Sequence, residues 1–477
     1  MIVNRYNRTK IIATIGPASI SEEVLEKMIF AGMDVCRINS SHGDYAMMEN
    51  IIRTIRKLNK KLNTHIAILF DLQGPKIRIG DLEEKDIILR DGDELLLNHR
   101  EVPGTRQEVF IKYPQFYKDV KKGDKVLVDD GKIELEVTEI LTDERVRTRV
   151  LHGGPLSSRK GVNLPNTEIS LPSLTEKDRS DLEFALQHEV EWIGLSFVRK
   201  AEDVEELRQH IRAKKSRTRV IAKIEKPEAV KNIDRIIQVS DAIMVARGDL
   251  GVEMAMEKVP VIQKSIVRKC NQAAKPVIIA TQMMESMITN YRPTRAEAND
   301  VGNAVFDGAD ALMLSAETSV GVFPVETINA MYKIIKEVEE QDVVYYREHA
   351  PANDSPNFIP ENICYISAVM AKQTEAEAIV AMTHSGTTAF KIAAHRPRSF
   401  IYIFTDNEPL LKTLNLVWGI RGFYYDKYES TDITIADIKK YLVDRKLVDK
   451  GHYIIHIAST PLQERATANT LKLTKIE

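Results

Sequence analysis

Val220 to Met254 reads VIAKIEKPEAVKNIDRIIQVSDAIMVARGDLGVEM. It contains two short apolar runs, Val220 to Ile224 and Ala242 to Ala246, each ending in charged or glycine-bearing sequence. Runs of this length bounded in this way predict two strands buried on both faces. The charges sit at their C-terminal ends. Lys223 and Glu225 are two apart, so the strand period puts an ammonium and a carboxylate on one face. Arg247, Gly248 and Asp249 follow the second run directly. One Lys, one Arg and two carboxylates on adjacent strand ends suit a divalent metal and a phosphorylated anion. A surface salt-bridge cluster beside two core strands is the plainer reading, and the rest of the chain decides between them.

Outward from this stretch the same strand-helix texture recurs. KIIATIG (Lys10 to Gly16), VCRINSS (Val35 to Ser41) and HIAILFD (His65 to Asp71) predict the first three strands. Between them lie the helices SEEVLEKMIFAG, capped by Ser21 and stopped by Gly32, and MMENIIRTIRKLNKK. WIGLSFV (Trp192 to Val198), RVIAKIE, AIMVARG, PVIIATQ (Pro276 to Gln282) and ALMLSAE (Ala311 to Glu317) supply five more strands. Thr175 is the expected N-cap of TEKDRSDLEFALQH, and Thr294 with Glu297 forms a capping box ahead of a helix that stops at Asp307-Gly308. Eight such units predict an α/β fold, a (β/α)8 TIM barrel.

Two departures from that texture set the domain plan. Pro75 to Pro172 holds short β-rich runs split by Asp-Gly and Gly-Asp turns, which predicts an inserted all-β module. Gln341 to Pro360 is rich in Pro, Asn and charge, a linker. Beyond it, helical ICYISAVMAKQTEA leads to runs at Ala378 to Met382, Phe400 to Phe404, Gly422 to Tyr425, Tyr453 to Ala458 and Leu471 to Ile476, a five-stranded α/β domain. The expected domains are residues 1–74 with 173–341 for the barrel, 75–172 for a β-rich lid, and 342–477 for the C-terminal part.

At 477 residues, with 43% hydrophobic and 29% charged residues, the chain is ordinary for a soluble globular protein of two or three domains. A net charge of -2 gives no basic field for nucleic acid. No apolar run reaches the ~18 residues of a membrane span. Cys36, Cys270 and Cys364 fit neither a disulfide framework nor a zinc spacing, so a reducing cytoplasm is expected.

In a barrel, residues at the C-terminal strand ends converge on one mouth. Strand two offers Arg37, Asn39, Ser41 and His42, and strand three offers Asp71. Five offers Lys223 and Glu225, six Arg247 and Asp249, seven Thr281, and eight Ser315 and Glu317. Folding alone does not need so many polar groups there. Their chemistry suits phosphoryl transfer, with two carboxylates for Mg²⁺ and Lys223 and Arg37 to neutralise a phosphoryl group in flight. The Gly248 amide could receive an anionic carboxylate, and Thr281 could pass a proton if linked to Ser315 and Glu317. No GxxxxGK[ST] is present, so this is not a P-loop kinase.

These residues lie within ATIGPAS at Ala13, AGMDVCRINSSHG at Ala31, DLQGPKIR at Asp71, KGVNLP at Lys160, AKIEKPEAV at Ala222, MVARGDLGVE at Met244, ATQMMESM at Ala280, RPTRAEANDV at Arg292 and DGADALMLSAET at Asp307. In that order they resemble the pyruvate kinase family over almost the full length. The resemblance implies transfer of a phosphoryl group from phosphoenolpyruvate to ADP, giving ATP and, after protonation of the enolate, pyruvate. It implies Glu225 and Asp249 as ligands of Mg²⁺ or Mn²⁺, Lys223 and Arg37 on the phosphoryl group, and Ala246, Arg247, Gly248, Asp249 and Thr281 around the substrate carboxylate. Nucleotide contacts would come from Asn39, His42 and Arg78, with Lys160 arriving from the lid. The family also suggests allosteric control and a homotetramer.

Two departures from the family pattern carry expectations. Many members hold K⁺ near the positions of Asn39, Ser41, Asp71 and the Leu72 carbonyl, and carry Glu where this chain has Lys76. The family associates such a Lys with independence from K⁺, its ammonium supplying the charge. THSGTT, with Thr383, Ser385, Gly386, Thr387 and Thr388, resembles the family's effector-phosphate loop. The glycine-rich loop expected before the last strand is replaced by STPLQERATAN at Ser459 to Asn469. A sugar or nucleoside monophosphate is therefore the expected effector in place of fructose 1,6-bisphosphate. The alternatives are a Mg²⁺-dependent lyase forming a pyruvate enolate on a similar barrel, or an inactive effector-binding paralogue.

Overall fold

Eight parallel strands pair side by side until the last meets the first. They are β1 Lys10–Thr14, β2 Val35–Asn39, β3 Ala67–Asp71, β4 Trp192–Leu195, β5 Arg219–Ile224, β6 Ala242–Ala246, β7 Val277–Ala280 and β8 Ala311–Leu314. Lys10 opposite Ala311 and Ala13 opposite Leu314 set the register of the closing seam. The computed structural model describes residues 6–41, 44–165, 167, 169–427, 430–461 and 467–477. β1, β3 and β6 are buried along their whole length, between helices outside and packed side chains inside, which is why they read as continuous apolar runs without alternation.

The helix signals act as read. Ser21 accepts the Val24 amide, and Gly32 closes that helix at φ 118°, a left-handed conformation that glycine adopts without a Cβ clash. Thr175 pairs with Asp178, and Thr294 with Glu297, in reciprocal capping boxes. The strand ends differ from expectation. Several strands stop two or three residues early, β1 at Thr14, β2 at Asn39, β4 at Leu195, β7 at Ala280 and β8 at Leu314. There the backbone leaves the sheet ladder to build the mouth, and Arg247–Glu253 and Ala316–Ser319 are short helices.

Between β3 and β4 lies the inserted module, with a two-stranded antiparallel sheet and a six-stranded sheet. Its own core includes Leu95, Leu97, Val126, Ile133, Leu135 and Val150. It is not all β, because Phe116–Asp119 forms one helical turn. After a linker holding the 3-10 turn Asp342–Val344, the helix Phe358–Thr374 begins earlier than the ICYISAVMAKQTEA reading placed it. The five C-terminal strands follow, Ala378–Met382, Phe400–Thr405, Ile420–Tyr424 and Tyr453–Ala458 parallel and Thr470–Lys475 antiparallel at the edge.

This last domain covers the N-terminal ends of the barrel strands, opposite the mouth, and shares a continuous core with the barrel. Trp192 Nε1 donates to the Thr413 carbonyl at 3.2 Å, and Lys10 Nζ to the Ile420 carbonyl at 3.2 Å. Arg396, 1% exposed, pairs with Asp310 at 2.9 Å. All three cysteines are buried and unpaired. No described helix is long and apolar enough to cross a membrane.

His395, beside Arg396, is buried, and burial followed by the proximity of His349 lowers its pKa from 6.5 to about 3. A base with a depressed folded-state pKa contributes stability that is fully present above the unfolded value and lost as pH falls through the folded one. Stability should therefore fall between pH 6.5 and about 3, and His395→Gln should flatten that segment of a urea-midpoint against pH curve. An unchanged slope would assign the acid sensitivity to other groups.

Candidate active site

The mouth is organised by one carboxylate, Asp71 at the end of β3. Arg37 Nε of β2 donates to its Oδ2 at 2.9 Å, and Lys223 Nζ of β5 donates to the same oxygen at 3.3 Å. Arg37 Nη1 also reaches Thr14 Oγ1 at 2.9 Å. Lys223 donates to Ser196 Oγ at 2.7 Å and lies 3.1 Å from Glu225 Oε1. All of these charged groups are buried. Burial would raise the Asp71 pKa, but Lys223 and Arg37 outweigh it and hold the carboxyl below its ordinary value. For Lys223, burial opposes the charge, while Asp71 and Glu225 outweigh burial and raise its pKa. The lysine is thus an ammonium when substrate arrives.

Glu225 sits one residue past β5 and accepts the Phe197 amide at 2.6 Å on Oε2. Phe197 holds φ 54°, a left-handed backbone unusual for an aromatic residue, in the turn that brings its amide there. Burial pushes the Glu225 pKa up, Lys223 partly offsets this, and the nearby Asp249 charge adds to it. Asp249 lies in the first turn of the helix Arg247–Glu253, where Lys76 Nζ stands 3.6 Å from its Oδ1. The buried Glu225, whose charge the neighbouring Asp249 makes costlier, and the half-buried Asp249 offer oxygen only and match the donor set of a hard divalent cation.

At the end of β7, Thr281 takes φ 73°, which a β-branched residue rarely adopts. Its Oγ1 accepts the Gly248 amide at 2.7 Å and donates to the Ala280 carbonyl. Arg247 braces this turn, donating to the Thr281 carbonyl at 2.8 Å and pairing with Asp300 at 2.7 Å. The Gly248 amide, expected to await an anion, is therefore engaged by Thr281. Among the described residues no hydrogen bond between side chains joins the expected relay of Thr281, Ser315 and Glu317. Glu317 is buried, and its two oxygens accept the Met284 amide at 3.2 Å and the Ser315 amide at 2.7 Å, satisfying a carboxylate that water does not reach.

Of the expected monovalent-cation group, two oxygens are engaged by neighbouring donors. Asn39 Oδ1 accepts the Ser41 amide at 3.1 Å, and the Leu72 carbonyl accepts the Ser196 hydroxyl at 2.7 Å. Asp71 Oδ1 is buried and accepts no hydrogen bond among the described residues. Lys76 pairs with Asp249, not with Asp71. Of the expected nucleotide contacts, Arg78 Nη1 donates to the Arg159 carbonyl at 3.1 Å, and Lys160 pairs with Asp129 at 2.9 Å within the inserted module. His42 lies outside the described residues.

In the C-terminal loop, Thr383 Oγ1 accepts the Gly386 amide at 3.0 Å, and the Ser385 and Thr387 hydroxyls are 3.1 Å apart. Gly386 turns the chain at φ 84° into the helix Thr387–Ala394, which holds the buried Thr388 and has no side-chain cap. Arg219, at the start of β5, donates to the Ser385 carbonyl at 3.3 Å.

Thr14 and Ser196 are the site residues that sequence reading missed. Both stand at or just past a strand end, on the two strands from which no candidate was drawn, so collecting every strand end would have found them. Nothing in the spacing of residues pointed to Asp300 or to the Phe197 amide.

Fold and mouth together define a (β/α)8-barrel enzyme whose site handles anions and a divalent cation. Residues 6–328 match the model of the pyruvate kinase barrel domain, and residues 361–474 that of the pyruvate kinase alpha/beta domain. Pyruvate kinase from Staphylococcus aureus strain MRSA252 is 41% identical over 472 residues, spanning 98% of this chain and 80% of that one. The protein of the same name from Staphylococcus epidermidis is 40% identical over the same length. The solved structure of a pyruvate kinase from Cryptosporidium parvum superposes with a TM-score of 0.92 at 34% identity, covering 99% of this chain and 96% of that one. The chain belongs to the pyruvate kinase family. It is a phosphotransferase, and membership of the family carries a requirement for a divalent metal.

Proposed function

We propose that this site moves the phosphoryl group of phosphoenolpyruvate to ADP, leaving the enolate of pyruvate, which is then protonated at carbon. The observation that carries the reading is the buried Lys223, an ammonium held among Asp71, Glu225 and Ser196 at the centre of the mouth. A fixed cation in a dry site stabilises phosphoryl oxygens without reorganising when the bond breaks. Arg37, steered by Asp71 and Thr14, presents its charge from a second strand. Glu225 and Asp249 are the proposed ligands of Mg²⁺ or Mn²⁺, which when bound supplies Lewis-acid charge to the transferring group. The Ala246–Asp249 backbone and the Thr281 hydroxyl shape the pocket for the substrate carboxylate, with Arg247 bracing the turn. Ser315 and Glu317 act by holding the β7 and β8 turns in place.

Asn39, His42, Arg78 and Lys160 are the proposed nucleotide contacts. Lys160 must exchange Asp129 for nucleotide when the module closes over the mouth as a lid and excludes water. Lys76 supplies the charge that K⁺ provides in other members, a role supported by its ammonium beside Asp249. The Thr383–Thr388 loop takes the phosphate of a monophosphorylated metabolite, supported by its clustered hydroxyls and uncapped helix start. We place the enzyme in the cytoplasm as a homotetramer, for which the exposed Met256, Val261, Tyr291 and Val322 offer apolar surface.

A coupled assay should show pyruvate from phosphoenolpyruvate only with ADP and Mg²⁺ present, and Lys223→Met should cut kcat roughly 100- to 1000-fold. Pyruvate released at full rate without ADP would favour the lyase. In K⁺-free buffer near-full activity is expected, and a loss restored by K⁺ would refute the role of Lys76. In a thermal-shift screen a sugar or nucleoside monophosphate should raise the melting temperature; no shift with any phosphorylated metabolite would reduce the loop to a helix start, and sedimentation as a monomer would remove the tetramer.

A further inference from the structure

Where the inserted module meets the barrel, three segments distant in sequence converge on one carboxylate. Glu253, the last residue of the helix Arg247–Glu253, is 2% exposed. Its Oε1 accepts Lys226 Nζ at 2.6 Å and Asn163 Nδ2 at 2.9 Å, both from buried residues. Its Oε2 is also buried and has no partner among the described residues. Withdrawing such an ion pair from water costs several kcal/mol per charge, and apolar residues of the same shape would hold the segments at less cost. The charges therefore point to a need for orientation.

Each arm of the cluster leads to a part of the site. Lys226 directly follows Glu225. Glu253 lies one helical turn after Asp249, so the two share a face of the same short helix. Asn163 belongs to the module, in the strand Val162–Asn163 that pairs with Lys125–Val128. Arg199 Nη1 adds a second tie from the barrel, donating to the Ile169 carbonyl at 2.6 Å. The cavity that these side chains line with Pro75, Lys76 and Phe197 holds about 20 Å³. That is room for one water and too little for a metabolite, so the cluster is a joint and not a ligand pocket.

We propose that Glu253 is a positioning residue whose carboxylate couples the attitude of the lid, through Asn163, to the placement of Glu225 and Asp249, through Lys226 and the helix. This rests on the reading of Glu225 and Asp249 as the metal carboxylates. Pro75, where the module leaves the barrel, and Leu171, where it returns, line the same cavity, which puts the joint beside the module's two connections.

Two variants of the full chain test it. Asn163→Ala cuts only the arm to the module; it should raise KM for ADP about fivefold while kcat stays within about twofold of the parent, a split that simple loss of stability does not produce. Glu253→Gln keeps the shape and loosens Lys226; it should weaken Mn²⁺ binding to the metal-free enzyme, read by electron paramagnetic resonance, about fivefold. An unchanged KM in the first, or parental Mn²⁺ affinity in the second, overturns the proposal. If Glu253→Gln does not fold, Lys226→Met with Glu253→Gln carries the Mn²⁺ measurement under the same criterion. Glu225→Gln separates the two readings. Parental Mn²⁺ affinity in that variant removes the metal assignment, whereas its loss there with Glu253→Gln unaffected removes the joint alone.

Discussion

One oxygen atom, Asp71 Oδ2, answers two buried cations supplied by two other strands. Without it Arg37 would lose its carboxylate partner in this dry mouth and Lys223 would keep only Glu225, and an uncompensated buried charge costs several kcal/mol. The arrangement in turn requires β2, β3 and β5 to hold their places, and only a closed ladder of parallel strands fixes them that well. Catalytic charge and barrel closure are for this reason one problem. The mouth can hold a cluster of like and unlike charges because the barrel pins them, and the barrel tolerates those charges because they answer one another.

The same economy recurs on the opposite face. Arg396 and Asp310 form a buried pair, with Arg396 also donating to Asn271 Oδ1 at 3.0 Å and to the Gly308 carbonyl at 2.8 Å, and its guanidinium 4.8 Å from the Trp418 ring. Such an interface is not a sliding contact. One face of the C-terminal sheet joins the barrel in a single core while its other face has a core of its own, whereas the core of the inserted module is separate throughout. β5 runs between the two faces of the barrel, with Arg219 at the Ser385 loop and Lys223 beside Asp71 at the mouth. The proposed effector loop and the proposed catalytic lysine are therefore joined by four residues of extended chain, about 13 Å.

Much of this was legible in the sequence because burial on both faces leaves a plain mark. The eight apolar runs, the Thr294 capping box and the Asp-Gly turns of the module each report a local constraint, and local constraints survive in the order of residues. The strand ends were legible as positions but not as geometry. At Thr281 and Phe197 the backbone adopts left-handed conformations that no residue type announces, since the surroundings impose them. Glu317 could be placed at the mouth by counting, but that its two oxygens would be taken by backbone amides depends on how two loops meet. Asn163, Lys226 and Glu253 lie within recognised motifs, yet only the fold shows that they touch.

The covered floor also sets a timetable for the molecule's birth. Lys10, in the first strand, finds the Ile420 carbonyl across 410 residues, and Arg396 follows Asp310 by 86. At about 5–20 residues per second of synthesis, the lysine waits roughly 20–80 s for its partner, long after the first strands have emerged. A barrel that begins to form at its N-terminus holds that lysine with Asp34 as its early partner, 3.7 Å away, and keeps its seam open until Ala311–Leu314 has emerged. The nascent chain is thus exposed for tens of seconds at a face that the finished C-terminal domain covers.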